Sequence, residues 1–130
     1  MGEADNRRAV ERLIEGLNAG DVAVLDEVFS DDSVISYPQS GEIIRGGANR
    51  RAVYAASPGL PSIKPYRTTT AGDLVVTEAI LAYGNDVYRT VFIFECRAGR
   101  IVAQTTYWSK PFAAAEWRSP WVEKAAPPEG

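Results

Sequence analysis

The sequence predicts an α+β domain in which three amino-terminal helices pack on a mainly antiparallel sheet. Apolar residues recur at helical spacing in the first thirty positions, whereas the second half alternates as strands do and is interrupted by short turns. The length of 130 residues and the 45% hydrophobic content fit one globular domain, residues 1–130, that buries a core without disulfide bonds.

Three helices are predicted before residue 57. Residues 5–18 carry their apolar side chains on one helical face, and Gly20 ends this helix. Asp21 is the expected N-cap of a short second helix. That helix directs four apolar side chains to the core, namely Val22, Leu25, Val28 and Phe29. Residues 48–56 have the composition of a third helix, which stops at Ser57 and Pro58.

The strand signals begin at residues 33–37, which alternate and end before Pro38. Four longer strands are predicted at residues 63–71, 74–83, 87–96 and 100–110, joined by hairpin turns. The strands at 74–83 and 87–96 are apolar on both faces, so both faces of the sheet are expected to be covered. Because three helices cover only one face, a second copy of the chain is predicted to cover the other in a twofold homodimer.

The tail, residues 111–130, has little strand signal and contains Trp117 and Trp121. Two solvent-exposed indole rings are unfavourable, so we expect the tail to pack back on the body of the chain or on the partner subunit. The last five or six residues are expected to be disordered.

Composition and charge exclude several function classes. The chain has no histidine and one cysteine, Cys96, which excludes histidine zinc sites, Ser-His-Asp triads, Cys-His dyads and an intrachain disulfide. Cys96 itself is expected to be a buried, unreactive thiol. The net charge is −3, and no basic stripe suits nucleic acid. No signal peptide or membrane-spanning segment is recognisable, so we expect a cytoplasmic protein without metal or cofactor.

Four pieces of sequence, in this order, resemble the nuclear transport factor 2-like superfamily, which includes SnoaL-like polyketide cyclases and ketosteroid isomerases. The pieces, all within residues 7–112, are LNAGD at 17–21, VFSDDSV at 28–34, IRG at 44–46, and AGRI at 98–101 followed by TYW at 106–108. The resemblance implies a cone-like roll, in which the helices and a curved sheet enclose an apolar pocket. It also implies dimerisation through the outer face of the sheet.

The catalytic residues of ketosteroid isomerases do not carry over. The resemblance places their carboxylate base at Tyr37, a tyrosine donor at Leu13 and a protonated aspartate within residues 90–92, and this chain has none of those side chains there. A phenol is a poor base at pH 7, but Tyr37 can polarise a ligand carbonyl by donating a hydrogen bond. The alternative is a core tyrosine whose hydroxyl bonds to a backbone carbonyl.

The position of Trp108 matches a pocket-lining aromatic residue of the family, and alternation turns Gln104 and Thr106 the same way. The predicted ligand-binding residues are Tyr37, Tyr54, Tyr83, Tyr88, Gln104, Thr106 and Trp108, with Phe29 and Tyr66 as further aromatic candidates. Tyr37 is the candidate catalytic residue. For each aromatic residue taken alone, ordinary core packing is the competing interpretation.

The carboxylates outside this set are assigned structural roles. Glu78 and Glu95 are expected to form ion pairs with Arg67 and Arg89 on the outer face of the sheet rather than to act as bases. Asp31-Asp32 is expected in a turn at the end of a helix and not at a metal.

The function predicted from these residues is that of a SnoaL-like pocket protein for an apolar, carbonyl-bearing small molecule, with isomerase- or cyclase-type activity left open. The alternative is a non-catalytic, dimeric binding or accessory module whose cone is filled by its own side chains. An open cavity favours the first function, and a filled one favours the second.

Overall fold

The computed structural model describes residues 2–126. The helices are α1 (Glu3–Asn18), α2 (Val24–Val28), α3 (Gly46–Ala56) and a 3₁₀ helix (Glu116–Trp121). The strands are β1 (Phe29–Tyr37), β2 (Glu42–Arg45), β3 (Ser62–Ala71), β4 (Leu74–Tyr83), β5 (Asp86–Arg97) and β6 (Arg100–Ser109). Within this part of the chain, no helix is both long and apolar enough to cross a membrane.

The six strands form one sheet in the order β2-β1-β6-β5-β4-β3. All neighbouring strands are antiparallel except β1 and β6, which run parallel. The sheet is curved, and the amino-terminal helices pack on one of its faces, called here the concave face. The predicted α+β class, with three helices on a mainly antiparallel sheet, is therefore confirmed.

The core lies between the helices and the concave face. The apolar stripe of α1 contributes Val10, Leu13 and Leu17, and the strands contribute alternating residues such as Val75 and Phe94. Where α1 meets α2 the backbones approach closely, because a Cβ atom on Gly16 would lie 2.6 Å from the Cβ of Val24. Glycine at this position is what allows the two helices to pack.

The second helix starts later than predicted. Val22 is 49% exposed and precedes α2, so its predicted place in the core is wrong. The Asp21 carboxylate accepts a hydrogen bond from the Ala23 N–H at 3.1 Å and thereby stabilises the turn that leads into the helix, not the helix itself.

The first strand starts four residues earlier than predicted, at Phe29. Phe29 pairs with Ile101 of β6, and burial of both side chains extends the strand back through Asp31-Asp32. The expectation that these two aspartates lie in a turn at a helix end is therefore wrong.

The tail does not pack on the body of the chain. Phe112 is 83% exposed, Trp117 75% and Trp121 79%, and the 3₁₀ helix has no buried residue. Packing on a partner subunit stays a prediction. The disorder expected at the carboxyl terminus concerns mainly residues 127–130, which lie outside the described residues.

Candidate functional site

A cavity of about 260 Å³ lies between α1, α3, the segment 57–61 and the concave face of the sheet. Its walls include all seven residues selected from the sequence, which are Tyr37, Tyr54, Tyr83, Tyr88, Gln104, Thr106 and Trp108. The rest of the wall is mostly apolar, with Leu13, Ile14 and Leu17 of α1 on one side and Phe92 and Phe94 of β5 on the other. The cone is open, which does not favour the alternative of a cone filled by its own side chains.

Tyr37 and Trp108 meet because β1 and β6 are neighbours and both end at the same side of the cavity. Their rings are 5.1 Å apart between centroids and nearly perpendicular, at 86°. The backbone N–H of Trp108 donates a hydrogen bond to Gln39 Oε1 at 2.8 Å, which holds β6 to the turn after β1. The edge-to-face contact between the Tyr37 and Trp108 rings holds the Trp108 side chain against the end of β1.

Tyr83 and Tyr88 stand at the hairpin between β4 and β5, with ring centroids 6.4 Å apart and an interplanar angle of 82°. The Lys110 ammonium lies 5.8 Å from the Tyr88 ring centroid and 3.0 Å from Asp86 Oδ1. Tyr83 is exposed and Tyr88 half-buried, so this pair forms the rim of the cavity.

Gln104 and Thr106 supply the buried polar groups on β6. The Gln104 Nε2 donates a hydrogen bond to Thr106 Oγ1 at 2.8 Å. Because Thr106 Oγ1 accepts this bond, its own hydrogen is left to donate, and within residues 2–126 no protein acceptor takes it. The pair therefore presents a directed hydroxyl donor at the cavity wall.

Three phenols of the cavity, those of Tyr37, Tyr54 and Tyr83, have raised pKa values and are neutral at physiological pH. Burial raises the pKa of Tyr54 well above its usual range, and the neighbouring Tyr37 and Tyr83 add to the increase. Burial also raises the pKa of Tyr37 and of Tyr83. In the described chain, the hydroxyls of Tyr37 and Tyr54 make no hydrogen bond to another protein group. Tyr37 thus lacks the backbone partner that a purely structural role would give it.

No aspartate, glutamate, lysine or arginine lines the cavity in the part of the chain that the structure describes. Leu13 and Phe92 do line it, so two positions that the family resemblance marks as donors face the cavity with apolar side chains. Among the described residues, no group of three or more possible metal ligands comes together. The walls can therefore donate hydrogen bonds and exclude water, but they carry no general base.

Two of the aromatic candidates lie elsewhere. Tyr66 is exposed in a separate groove between α1 and β3. Phe29 is buried beneath α3, where the Arg50 guanidinium lies 5.1 Å from its ring centroid. Their predicted place in the lining is wrong, because β1 begins with Phe29 at the end far from Tyr37 and because Tyr66 follows an irregularity in the register of β3.

The charged residues on the outer face follow the prediction in part. Arg67 and Glu78 form an ion pair across β3 and β4, and the hydrogen bond from Arg67 lowers the pKa of the Glu78 carboxyl. Glu95 and Arg89 have no ion-pair partner among the described residues, so the expectation for them is wrong. Cys96 is buried as expected, and burial raises the pKa of its thiol.

The sequence analysis missed two contributors to the site. Gly59, Leu60 and Pro61 line the cavity, although residues 57–61 were interpreted only as the stop of a helix. An apolar Leu60 within a turn-forming stretch was the available signal. Arg50, which is 1% exposed, anchors α3 by hydrogen bonds to Ser33 and Asp26. The sequence does not distinguish it from its exposed neighbour Arg51.

Comparison with known families decides where the chain belongs. The model of the SnoaL-like domain matches residues 10–104, which is most of the fold described above. The chain belongs to the SnoaL-like domain family. This confirms the resemblance drawn from the sequence. A comparison with curated proteins finds no match.

Several solved structures share the fold of this chain. An NTF-2 like protein of unknown function from Burkholderia xenovorans is 36% identical, with a TM-score of 0.84 over 95% of this chain and 98% of that one. A putative ketosteroid isomerase from Kribbella flavida has a TM-score of 0.88 at 19% identity, over 97% and 93%. An LEH-like epoxide hydrolase from M. tuberculosis has a TM-score of 0.72 at 26% identity, over 82% and 84%. The fold is thus related to folds that carry isomerases and hydrolases.

Proposed function

We propose that this SnoaL-like chain binds an apolar, carbonyl-bearing small molecule in the cavity beneath α3. The observation that carries the proposal is the set of donors without protein acceptors, namely the hydroxyls of Tyr37, Tyr54 and Thr106, in an otherwise apolar wall. The Tyr37 and Tyr54 hydroxyls are not among the buried atoms of the described chain that lack a partner, so they are open to water in the cavity. A ligand oxygen would take the place of that water as their acceptor. An apolar cavity with a few converging polar groups is the usual composition of a small-molecule site.

The reaction that such a wall supports is of the isomerase or cyclase type. Neutral phenols stabilise negative charge that develops on a carbonyl oxygen, as an enol or enolate forms. Because the described wall has no carboxylate, proton removal falls to the substrate or to water. Tyr37 is the proposed polarising residue, since it lies at the end of β1 and is held by Trp108. The isomerase fold of the Kribbella protein is in keeping with this proposal.

The test is a matched pair of ligands. Trp117 and Trp121 are replaced by phenylalanine so that Trp108 alone reports, and its fluorescence is titrated with 2-decalone and with decalin, the hydrocarbon of the same shape. We expect saturable binding of the ketone. Tyr37→Phe should weaken ketone binding about fivefold, the equivalent of one neutral hydrogen bond, and leave decalin binding unchanged. Tyr66→Phe, which removes an exposed hydroxyl outside the cavity, is the control.

Equal loss of affinity for both ligands would show that Tyr37 acts by packing, and absence of any saturable binding would contradict the proposed site. Native mass spectrometry of the protein from its own source tests the same proposal without a chosen ligand, since a bound compound should add its mass to the chain.

We also propose that the chain is a homodimer through the outer face of the sheet. This face carries an apolar stripe, defined here as Val76, Ile80, Val91, Ile93 and Tyr107. All five side chains are partly exposed, whereas their neighbours on the concave face are buried. A second copy would cover the stripe by twofold symmetry. Ile93→Lys should dissociate the dimer in sedimentation experiments, because it places an unpaired charge in the interface.

A further inference from the structure

The three most exposed large apolar side chains of the described protein all lie in the tail, at Phe112, Trp117 and Trp121. Each aromatic side chain of this size can bury roughly 150 to 250 Å². Aromatic side chains of this kind are enriched at protein interfaces. A segment with this composition is therefore suited to an apolar partner surface.

The tail leaves the sheet from a fixed point and has local structure. The Lys110 ammonium bonds to Asp86 Oδ1 at 3.0 Å, which holds the end of β6 to the start of β5. Five residues, 111–115, separate Lys110 from the 3₁₀ helix, in which the Arg118 guanidinium lies 5.7 Å from the Trp117 ring centroid. Those five residues span at most about 17 Å. The tail therefore places its indole rings within reach of a neighbouring molecule.

The apolar stripe on the outer face offers apolar surface, which is interrupted by Glu78 between Val76 and Ile80 and by Arg89 opposite Ile80. Val76 pairs with Ile93, and Val91 pairs with Tyr107, so the side chains adjoin across three strands. The helices pack on the opposite, concave face, and in residues 2–126 no helix covers the stripe. Within residues 111–126 of the tail, Glu116 and Glu123 balance Arg118 and Lys124, so a contact made by this part is mainly apolar.

We propose that each tail crosses to the other protomer of the homodimer and places its three aromatic side chains against that protomer's apolar stripe. The proposal rests on the homodimer proposed above and is independent of the ligand. The chain's own body leaves these side chains exposed, which is the reason for choosing a second copy. Six aromatic side chains from two tails bury roughly 1,000 Å². Together with the stripe, this reaches the 1,200 to 2,000 Å² of a typical stable interface, taken as an approximate range.

The first test compares two double variants by analytical ultracentrifugation over a range of concentrations. Trp117→Ser with Trp121→Ser removes the aromatic contacts, and Glu123→Ser with Lys124→Ser is the matched control on the same tail. Both pairs of residues are exposed, so neither variant should unfold the protomer. We expect the first to raise the dimer dissociation constant at least tenfold and the control to leave it unchanged, with little dependence on salt in either case.

The second test identifies the surface that receives the tail. In Trp108→Phe only the tail tryptophans fluoresce, and their emission should lie at short wavelength in the dimer and move to long wavelength on dilution to monomer. Emission that stays at short wavelength on dilution would mean that the tail packs on its own body, and long-wavelength emission at every concentration would mean that it packs nowhere. Either outcome overturns the proposal.

The two proposals fail in different ways. A wild-type chain that sediments as a monomer at all concentrations overturns both the homodimer and the crossing tail. If Ile93→Lys dissociates the dimer while the tryptophan double variant remains dimeric, the homodimer stands and the crossing tail is wrong. Circular dichroism of Ile93→Lys, compared with the wild type, separates dissociation from unfolding.

Discussion

Arg50 and Tyr54 lie one turn apart on α3, yet both terminal nitrogens of Arg50 bond to protein groups, with its buried Nε left without a partner in the described chain, whereas the Tyr54 hydroxyl bonds to none. The Arg50 guanidinium donates to Ser33 Oγ at 2.6 Å, to the Ser30 carbonyl at 3.3 Å and to Asp26 Oδ1 at 3.1 Å. The Tyr54 hydroxyl has no protein partner among the described residues and faces the cavity. One helix therefore connects a cluster fixed by hydrogen bonds to a wall with unused donors.

The difference shows how the cavity stays open without collapsing. The cluster around Arg50 holds α3 against α2 and β1, and the hydrogen bonds from Arg50 and Arg51 lower the pKa of Asp26 so that it stays charged. Gly16 and Val24 close the same end by tight packing. Because the cluster around Arg50 anchors α3, the carboxyl-terminal half of the helix forms part of the cavity wall and positions Tyr54 toward a ligand.

Breaking the Arg50 cluster should have the largest effect on stability. Arg50→Met leaves the buried Ser33 hydroxyl and Ser30 carbonyl without their donor and should lower the free energy of unfolding by about 2 to 4 kcal/mol. The control is Arg51→Met, because Arg51 binds the same Asp26 oxygen at 3.1 Å but is 51% exposed. It should cost under about 1 kcal/mol. Urea denaturation measures both, and equal losses would contradict the distinction drawn here.

Enlarging a side chain should destabilise the tightly packed contact between α1 and α2 more than the wall of the open cavity. Gly16→Ala adds a methyl group against Val24 and should destabilise by roughly 1 to 3 kcal/mol, although alanine is the better helix former. Leu81→Phe, a buried residue of the cavity wall, should cost less than about 1 kcal/mol because the added ring atoms enter the cavity. It should also abolish 2-decalone binding. If Leu81→Phe proves the more destabilising change in thermal denaturation, the cavity is not open.

The sequence predicted the strand residues of the cavity lining but neither the contribution of residues 59–61 nor the cluster around Arg50 that supports α3. Strand alternation fixes which side chains share a face, so Gln104, Thr106 and Trp108 could be assigned to one wall together. Tyr37 was selected through the family resemblance, which marks the end of the first strand before Pro38. The Arg50 cluster depends on which face of a short helix meets β1, and that is set by tertiary packing, which two consecutive arginines do not reveal.

The boundaries that were wrong have the same origin. Val22 has the spacing of a core residue, but the turn closed by Asp21 rotates it into solvent. Phe29 continues the helical pattern and yet begins β1. Its pairing with Ile101 stabilises the strand by more than helix propensity favours the helix. In both cases a contact distant in sequence, or a local hydrogen bond, overrides the periodic pattern.

The last prediction concerns how the free energy of unfolding changes at alkaline pH, where the buried phenol of Tyr54 ionises on unfolding. The folded-state pKa of Tyr54 is raised by burial, so the fold favours the neutral phenol. That contribution is fully present below the unfolded-state pKa near 10 and is lost as pH rises toward the folded value. Stability should be level from pH 7 to about 8 and should begin to fall where the unfolded-state thiol of Cys96 ionises, since burial raises the pKa of that thiol too. Above about pH 10 the fall should steepen, each such phenol adding up to ~1.4 kcal/mol per pH unit to the slope.

Tyr54→Phe should therefore leave the free energy of unfolding at pH 7 within about 0.5 kcal/mol of the wild type, since it breaks no protein hydrogen bond. Above pH 10 the variant should lose stability less steeply, because one buried phenol no longer has to ionise on unfolding. Tyr66→Phe, which removes an exposed hydroxyl, should reproduce the wild-type curve. Urea denaturation at a series of pH values measures the slopes. A Tyr54→Phe protein that is strongly destabilised at pH 7 would show that the hydroxyl already has a partner in the fold, and the contrast with Arg50 would then be lost.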